Sequence, residues 1–336
     1  MGNVTWAWIM GIVATATPPQ TELRRFEFTR AEMAVDVRLV FYTETQDIAS
    51  TAADAAFARV RQLNAVLSDY DPQSELSRLC RSSGPGRPVR VSTDLWRVLA
   101  LSQTWADRSG GAFDVTIRPV VRLWRRARRQ QQLPDRERIQ QALADVGYEN
   151  IRLDPESRTV ELLRPGISID LGGIAKGYAA DEARRVLEKY TIKSCLVDAG
   201  GDMVLGSPPP DREGWRIGVA PLQADGPPSR YLVLAHCAVA TSGDAWQHVE
   251  IDGRRYSHIV DPRTGLGLTD HSSVTVVAPD GATADALASA VSVLGPEAGM
   301  KLVEATPGAA ALIVRSLEGE VETSESVQWK RLRPMR

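Results

Sequence analysis

The sequence predicts an α+β fold, because segments with strand character dominate and helices are inserted between them without regular βαβα alternation. Over residues 32–43, apolar and polar residues alternate, which is typical of a half-buried strand. Over residues 215–278, most apolar runs are short and have strand character. The chain has 336 residues and is 43% hydrophobic, which allows one large domain or two fused ones.

Helices are predicted where apolar residues recur with a period near 3.6 and where caps and breakers mark the ends. Ser92 is the predicted N-cap of the second helix, and Pro134 ends an arginine-rich helix before Asp135 begins a short one. The predicted helices are 47–67, the segment between Ser92 and Gly110, 118–133, 135–146, 174–189, 282–294 and 297–304. The predicted strands after the first are 151–153, 160–163, 167–170, 195–197, 215–219, 231–234, 238–240, 247–251, 256–260, 273–278 and 309–314.

The charge balance and the cysteines exclude several classes of function. With 40 basic and 42 acidic residues, the net charge is -2, so no overall field attracts nucleic acid. The three cysteines are widely spaced and odd in number, which fits neither a metal site nor a disulfide framework. We therefore expect no nucleic-acid partner.

The N-terminus differs from the rest of the chain. Residues 4–13 are apolar and uncharged, too few to span a bilayer as a helix, and Ala14-Thr15-Ala16 follows them. This pattern is typical of a signal peptide, although no Lys or Arg precedes the apolar run; the alternative is a disordered or packed tail. We predict that residues 1–25 lie outside the fold and that the protein is exported.

Residues 118–138 contain eight arginines and two acidic residues. A nucleic-acid patch is one interpretation of this segment. However, Val120, Val121, Leu123 and Trp124 share the same helix, so the solvated face of an amphipathic helix is favoured.

A dense polar cluster, His258-Ile259-Val260-Asp261-Pro262-Arg263-Thr264-Gly265, stands where a predicted strand meets a Pro/Gly turn. Such strand ends often carry functional side chains on a rigid scaffold. His258 is one of only four histidines, and it is either a catalytic residue or a histidine satisfied beside a structural turn.

A strand-to-helix junction, Asp170-Leu171-Gly172-Gly173-Ile174-Ala175-Lys176, is a candidate phosphate site. Its two glycines allow close approach of a ligand, and the following helix presents free N–H groups. The spacing matches neither the Walker A motif nor G-x-G-x-x-G, and a simple tight turn is the alternative. Asp114, after Gly111-Ala112-Phe113, either binds a ligand or orders its own turn.

Asp285 and Ser289 are four residues apart on a predicted helix of mainly Ala and Leu, so their oxygen atoms share one face. A buried carboxylate needs a partner or a cation. Carboxylate, hydroxyl and carbonyl oxygens together favour Mg²⁺, whereas an Asp that bonds backbone groups is the alternative.

Seven segments in order along residues 30–325 resemble the ApbE family, the FAD:protein FMN transferases. They are LSDYDPQSELSRL, GGAFDVTIRPVVRLW, ISIDLGGIAKGYAAD, LVDAGGDMVLG, VATSGDAWQ, YSHIVDPRTG and SVTVVAPDGATADALASAVSVLG. The resemblance implies an ApbE-like, T-fold-like single large domain of mixed, mainly antiparallel sheets with packed helices, over residues 30–325. It leaves residues 326–336 as a tail.

The resemblance also implies a function. Family members are exported or membrane-facing enzymes that use Mg²⁺, cleave the pyrophosphate of FAD, attach FMN through a phosphoester to Thr or Ser of a target protein, and release AMP. The implied target carries an Asp-x-x-(Ser/Thr)-Gly-Ala-(Ser/Thr) motif and is a subunit of a membrane redox complex. Two alternatives remain, a Mg²⁺-dependent FAD pyrophosphatase and a non-catalytic flavin-binding protein.

Site residues follow from the resemblance by motif. His258 is the implied base, and the metal ligands are Asp285, Ser289 and the carbonyl of Gly173. The implied FAD contacts are Met33, Tyr70, Ala112, Phe113, Asp114, Asp170, Lys176 and Leu268. The chain departs from the family pattern at Ser289, where Thr is usual, and at Met33-Ala34-Val35, where Met-Gly-Thr is common.

Overall fold

A central antiparallel sheet of eight strands organises the molecule. The structure is a computed structural model, and it describes residues 22–223, 226–245, 247–317 and 319–334. The strand order is β1-β2-β6-β7-β10-β13-β14-β15, and every neighbouring pair is antiparallel. The α+β prediction is confirmed. The predicted N-terminal signal segment lies largely outside the described residues.

The bounds of the elements are as follows. The helices are α1 Gln46–Leu67, α2 Glu75–Ser82, α3 Thr93–Arg108, α4 Arg118–Gln130, α5 Arg136–Leu143, α6 Ala175–Lys189 and α7 Gly281–Glu304. The strands are β1 Arg24–Glu32, β2 Val35–Thr43, β3 Val89–Arg90, β4 Ile151–Asp154, β5 Thr159–Leu162, β6 Cys195–Ala199, β7 Asp202–Leu205, β8 Trp215–Val219, β9 Arg230–Leu234, β10 Cys237–Gly243, β11 His248–Ile251, β12 Arg254–Ser257, β13 His271–Ala278, β14 Ala310–Leu317 and β15 Glu320–Glu325.

The two faces of the sheet carry different cores, because successive strand residues point to opposite sides. On β2, Leu39 packs into the large core formed with helices α1, α6 and α7, whereas Val40 packs against the β8–β9 hairpin on the other face. A third, smaller core joins α4 to the β11–β12 hairpin through Trp124 and Tyr256. That third core brings the arginine-rich helix beside the segment that contains His258.

Several elements differ from the sequence-based expectation. Strand β1 begins at Arg24, before the predicted domain start, and Trp329 packs into the second core although 326–336 is the predicted tail. Residues 167–170 form no strand, although the Asp170 amide donates a backbone hydrogen bond to the carbonyl of Val115. Helix α7 is interrupted at Gly295, with φ of 73°, directly before Pro296, close to the predicted break.

The β1–β2 hairpin turn places two non-glycine residues in the left-handed region. Met33 has φ of 52° and Ala34 has φ of 61°, as a two-residue type I′ turn requires. For residues with a Cβ, this conformation costs about 1–2 kcal/mol each. The turn nevertheless holds Met33 at the wall of the candidate site described below.

We expect Ala34→Gly to stabilise the protein by about 0.5–1 kcal/mol, because relief of the strain exceeds the added entropy of the unfolded chain. Chemical unfolding measures the change. As a control, Ala31→Gly within strand β1 is expected to be neutral or destabilising, because Ala31 has an ordinary strand conformation. Equal effects of the two substitutions would contradict the strain argument.

Candidate active site

A cavity of about 770 Å³ lies between helix α4, the junction before α6, the β1–β2 turn and the segment that follows β12. Segments far apart in the sequence converge on it. Most of the residues singled out from the sequence line its wall: Met33, Tyr70, Ala112, Phe113, Asp114, Asp170, Gly173, Lys176, His258 and Ser289. Asp285 lies directly behind the wall, and Leu268 lines a neighbouring cavity of about 700 Å³.

His258 lines this cavity, and one of its ring nitrogens has no hydrogen-bond partner among the described residues. Its Nδ1 lies 3.1 Å from the carbonyl oxygen of Gln247, and because a carbonyl only accepts, Nδ1 carries the proton. Nε2 is therefore the basic nitrogen. The ring is open to the cavity, yet protein atoms surround it closely, and this desolvation lowers its pKa below the usual histidine value, with Arg128 and Lys176 adding to the effect.

Two helices meet at glycines beside the cavity. A Cβ at Gly177 of α6 would lie 2.0 Å from the carbonyl oxygen of Gly281 in α7, so only glycine permits this approach. The carboxylate of Asp181 also accepts hydrogen bonds from Gly281 and Ala282 at the start of α7. This crossing places Asp285 of α7 next to the first turn of α6, where its Oδ2 accepts a bond from the Gly177 amide at 3.2 Å.

Lys176 links two buried carboxylates. Its Nζ forms an ion pair with Asp202 and lies 3.6 Å from Oδ2 of Asp285. Burial opposes the charge of Lys176, but the two carboxylates outweigh it and raise its pKa. Burial likewise raises the pKa of Asp285, against the opposing effects of Lys176 and the Gly177 amide.

Oxygen donors gather at the same corner of the cavity. A Cβ at Gly173 would lie 2.9 Å from Oγ of Ser289, so the Gly173 backbone and the Ser289 hydroxyl are close neighbours. Ser289 stands one helical turn after Asp285 on α7. Within the described ranges, there is no cluster of three or more His, Cys, Asp or Glu side chains that could hold a metal. The donor set at this corner is one carboxylate, one hydroxyl and one backbone carbonyl.

Asp114 orders the loop that presents Ala112 and Phe113. Its Oδ1 accepts bonds from the backbone and hydroxyl of Thr116, and its Oδ2 accepts one from the Tyr148 amide at 2.9 Å. These bonds show that Asp114 orders its own turn, which is one of the two roles that the sequence left open for it. Leu268 is placed beside His258 only through its backbone, which pairs with Ser257 and Ile259.

Sequence reasoning missed the role of Arg125. Its Nη1 and Nη2 each lie 2.8 Å from a carboxylate oxygen, of Asp69 and Asp170 respectively. Its guanidinium also lies 4.2 Å from the ring centroid of Tyr70, a residue that is 73% exposed despite this contact. Arg118 pairs with Asp69 as well, so Arg118 and Arg125, both assigned to a solvated face, pair with carboxylates of the cavity wall. The available signal was their seven-residue spacing, which places them on the same side of α4 as Val121.

We expect Arg125→Met to destabilise the protein by about 2–3 kcal/mol, because Asp69 and Asp170 lose a charged partner in a largely buried position. It should also weaken binding of the FAD that the family resemblance implies, since Tyr70, an implied FAD contact, loses the group that supports its ring. Chemical unfolding and flavin titration measure the two effects. The adjacent Arg126→Met is the control, because Arg126 is exposed and bonds only Gln130 within the described chain.

Comparisons with known proteins identify the family. The model of the ApbE family matches residues 33–313. A FAD:protein FMN transferase of Treponema pallidum is 33% identical over 306 residues, covering 86% of this chain and 84% of the relative. A FAD:protein FMN transferase of Haemophilus influenzae is 32% identical over 276 residues, covering 80% of each chain.

Solved structures show the same fold. The flavin transferase ApbE of Vibrio cholerae superposes with a TM-score of 0.82 at 27% identity, and the match covers 93% of this chain and 100% of the Vibrio cholerae chain. The ApbE protein of Thermotoga maritima superposes with a TM-score of 0.80 at 32% identity, covering 92% and 99%. The fold and the family match together define a transferase enzyme. The chain belongs to the ApbE family.

Proposed function

We propose that this protein is a Mg²⁺-dependent FAD:protein FMN transferase that attaches FMN through a phosphoester to a Thr or Ser hydroxyl of a target protein and releases AMP. The observation that carries the proposal is His258, whose Nε2 has no hydrogen-bond partner in the described part of the chain and which lines the same cavity as Gly173 and Ser289, with Asp285 directly behind the wall. Family membership supports flavin transfer as the reaction class.

His258 acts as the base of the reaction. Its neutral Nε2 takes the proton of the acceptor hydroxyl, while the carbonyl of Gln247 holds the other ring nitrogen and fixes the ring. The acceptor oxygen then bonds to the phosphorus of the FMN half, and the bond from that phosphorus to the bridging oxygen breaks. The electron pair leaves with AMP, so atoms and charge balance.

The Gly173 carbonyl, Asp285 and Ser289 are the residues that would hold Mg²⁺. They fit this ion because all three donors are oxygen atoms, and because Lys176 is the only positive partner of Asp202 and Asp285 among the residues that the structure describes. When bound, Mg²⁺ neutralises charge on the pyrophosphate and on the leaving group. The Ser289 hydroxyl replaces the usual Thr hydroxyl without loss of a donor.

FAD is bound by the remaining wall of the cavity. The exposed ring of Tyr70 and the ring of Phe113 offer apolar surfaces for the flavin or the adenine, and Met33 and Ala112 complete the wall. Lys176 supplies a positive charge near the phosphates. Asp170 is held by Arg125 and the Gly172 amide, and it shapes the turn that the phosphates approach.

A mass measurement tests the proposal. The protein is incubated with FAD, Mg²⁺ and an acceptor domain that contains an Asp-x-x-(Ser/Thr)-Gly-Ala-(Ser/Thr) motif. We expect a gain of one FMN on the last Thr or Ser of the motif, lost on chelation and in His258→Ala. Release of free FMN and AMP without modification of the acceptor would instead identify a pyrophosphatase. Intact, bound FAD would identify a flavin-binding protein.

The proposal extends to location and target. The apolar run at residues 4–13 supports export to the periplasmic side of a bacterial inner membrane, where peripheral association would bring the enzyme to redox-complex subunits. N-terminal sequencing of the protein from a periplasmic fraction tests this part. A mature chain that retains residues 1–16 would contradict cleavage of a signal peptide.

A further inference from the structure

Helix α4 carries more positive charge than the fold uses. Its sequence, RPVVRLWRRARRQ, contains six arginines and no acidic residue. Arg118 and Arg125 are paired with Asp69 and Asp170 in the cavity wall. The other four make no ion pair with a carboxylate in the described ranges, where Arg126 bonds Gln130 and Arg128 bonds Oε1 of Gln247. Arg122, Arg126 and Arg129 are all exposed, and we call these three residues the outer arginine face.

The spacing within this helix is unfavourable in the isolated protein. Arg122 and Arg126 are four residues apart, and Arg126 and Arg129 are three apart, so like charges are neighbours on the surface. Each such pair costs roughly 0.2–0.5 kcal/mol in a helix. No acid within α4 offsets this repulsion. An anionic partner that contacts the outer arginine face would relieve it.

The positive charge continues into the cavity. Arg128 lies among the residues of the cavity wall, and its charge contributes to the lowered pKa of His258. A path of positive charge therefore leads from the outer arginine face, through Arg128, to the proposed base. Such a path attracts and orients an acidic partner as it approaches.

We infer that the outer arginine face docks an acidic surface of the acceptor protein and guides its hydroxyl group to His258. This inference rests on the proposed function, which requires that a second protein enter the same cavity. A bilayer surface cannot enter a cavity, whereas a protruding acceptor segment does so. Nucleic acid is disfavoured because the net charge of the whole chain is -2.

Two triple variants with the same change of charge test the inference. The first is Arg122→Glu with Arg126→Glu and Arg129→Glu. The control is Lys189→Glu with Lys193→Glu and Arg212→Glu, all exposed. Lys189 and Lys193 lie at or just beyond the C-terminal end of α6, whereas Ala175 and Lys176 at its N-terminal end line the cavity. The Arg212 loop is tied to that same end through the bond from Ser194 to the Pro208 carbonyl.

The probe is a fluorescently labelled acceptor domain with glutamates around its acceptor motif, and its Kd is measured by anisotropy at low ionic strength. We expect the outer-face variant to bind it about tenfold more weakly or worse, and the control to bind like the wild type. Added salt, or glutamine in place of the glutamates, should remove the difference. The Kd for FAD should stay the same in all three proteins.

Equal affinity of both variants for the acidic acceptor would overturn the inference. Loss of binding to phosphatidylglycerol vesicles in the outer-face variant, with acceptor affinity unchanged, would assign the face to a membrane surface instead. Because Kd is measured without turnover, these results stand apart from the proposed function, whose failure would appear as acceptor that is bound but never gains FMN.

Discussion

Replacing His258 with alanine is expected to lower kcat for flavin transfer about 10²–10⁴-fold, the usual contribution of a positioned general base. The Kd for FAD should change little, since His258 is exposed and its ring makes one hydrogen bond among the described residues, to the carbonyl of Gln247. The same limited contact predicts a folded, stable variant. The measurement is single-turnover transfer to an acceptor domain, with FAD affinity determined separately by titration.

The pH dependence of the wild-type enzyme gives a second readout of the same residue. The base is active when neutral, and desolvation lowers the pKa of His258 below the usual value of about 6.5. Activity should therefore be lost only as the pH falls below that value, and the acidic limb should disappear in His258→Ala. His236→Asn is the matched control, because His236 is exposed in the turn between β9 and β10. A full acidic limb in His258→Ala would exclude the residue as the base.

The sequence predicted those elements of the fold that have clear caps, breaks or hydrophobic patterns, and it missed short or weakly patterned ones. Helix α3 begins after Ser92, as its capping pattern indicates, and the break in α7 follows from Gly295 and Pro296. Strands β1 and β15, the two edges of the sheet, were missed, and so were the interior strand β7 and the short strand β3. An edge strand with one solvated side needs few apolar residues, so its hydrophobic pattern is weak; β15 reads EVETSE and is mostly exposed.

For the site, local patterns located the candidate residues but not their partners. His258 directly follows strand β12, and Asp170 stands just before the two glycines Gly172 and Gly173; both positions can be recognised in the sequence. The pairs Arg125–Asp170 and Lys176–Asp202 join residues that are 45 and 26 positions apart, so only the packing of α4 and α6 brings them together. That is why an arginine of the cavity wall was taken for a solvated one.

The second large effect is expected for Asp285→Asn, which should abolish Mg²⁺-dependent transfer without unfolding the protein. Asn keeps an oxygen for the Gly177 amide, and Lys176 keeps Asp202, so both contacts seen at Asp285 tolerate the change. Removal of a buried carboxylate whose pKa is raised by burial should leave stability without Mg²⁺ equal or higher. A metal contributes several kcal/mol to the transition state, and each 1.4 kcal/mol is a factor of about ten in rate.

Thermal unfolding with and without Mg²⁺ separates a ligand from a structural residue at this position. A cation at a concentration of 100 times its Kd stabilises the folded state by about 2.7 kcal/mol, so the wild-type Tm should rise on addition of Mg²⁺. In Asp285→Asn this rise should vanish, and in Ser289→Ala it should shrink, because a carboxylate contributes more to a hard cation than a hydroxyl. If Asp285→Asn kept the full Mg²⁺-induced rise in Tm, the ion would bind elsewhere. Asp202 and Asp285 would then serve, through Lys176 and the Gly177 amide, to hold the N-terminal ends of α6 and α7 together.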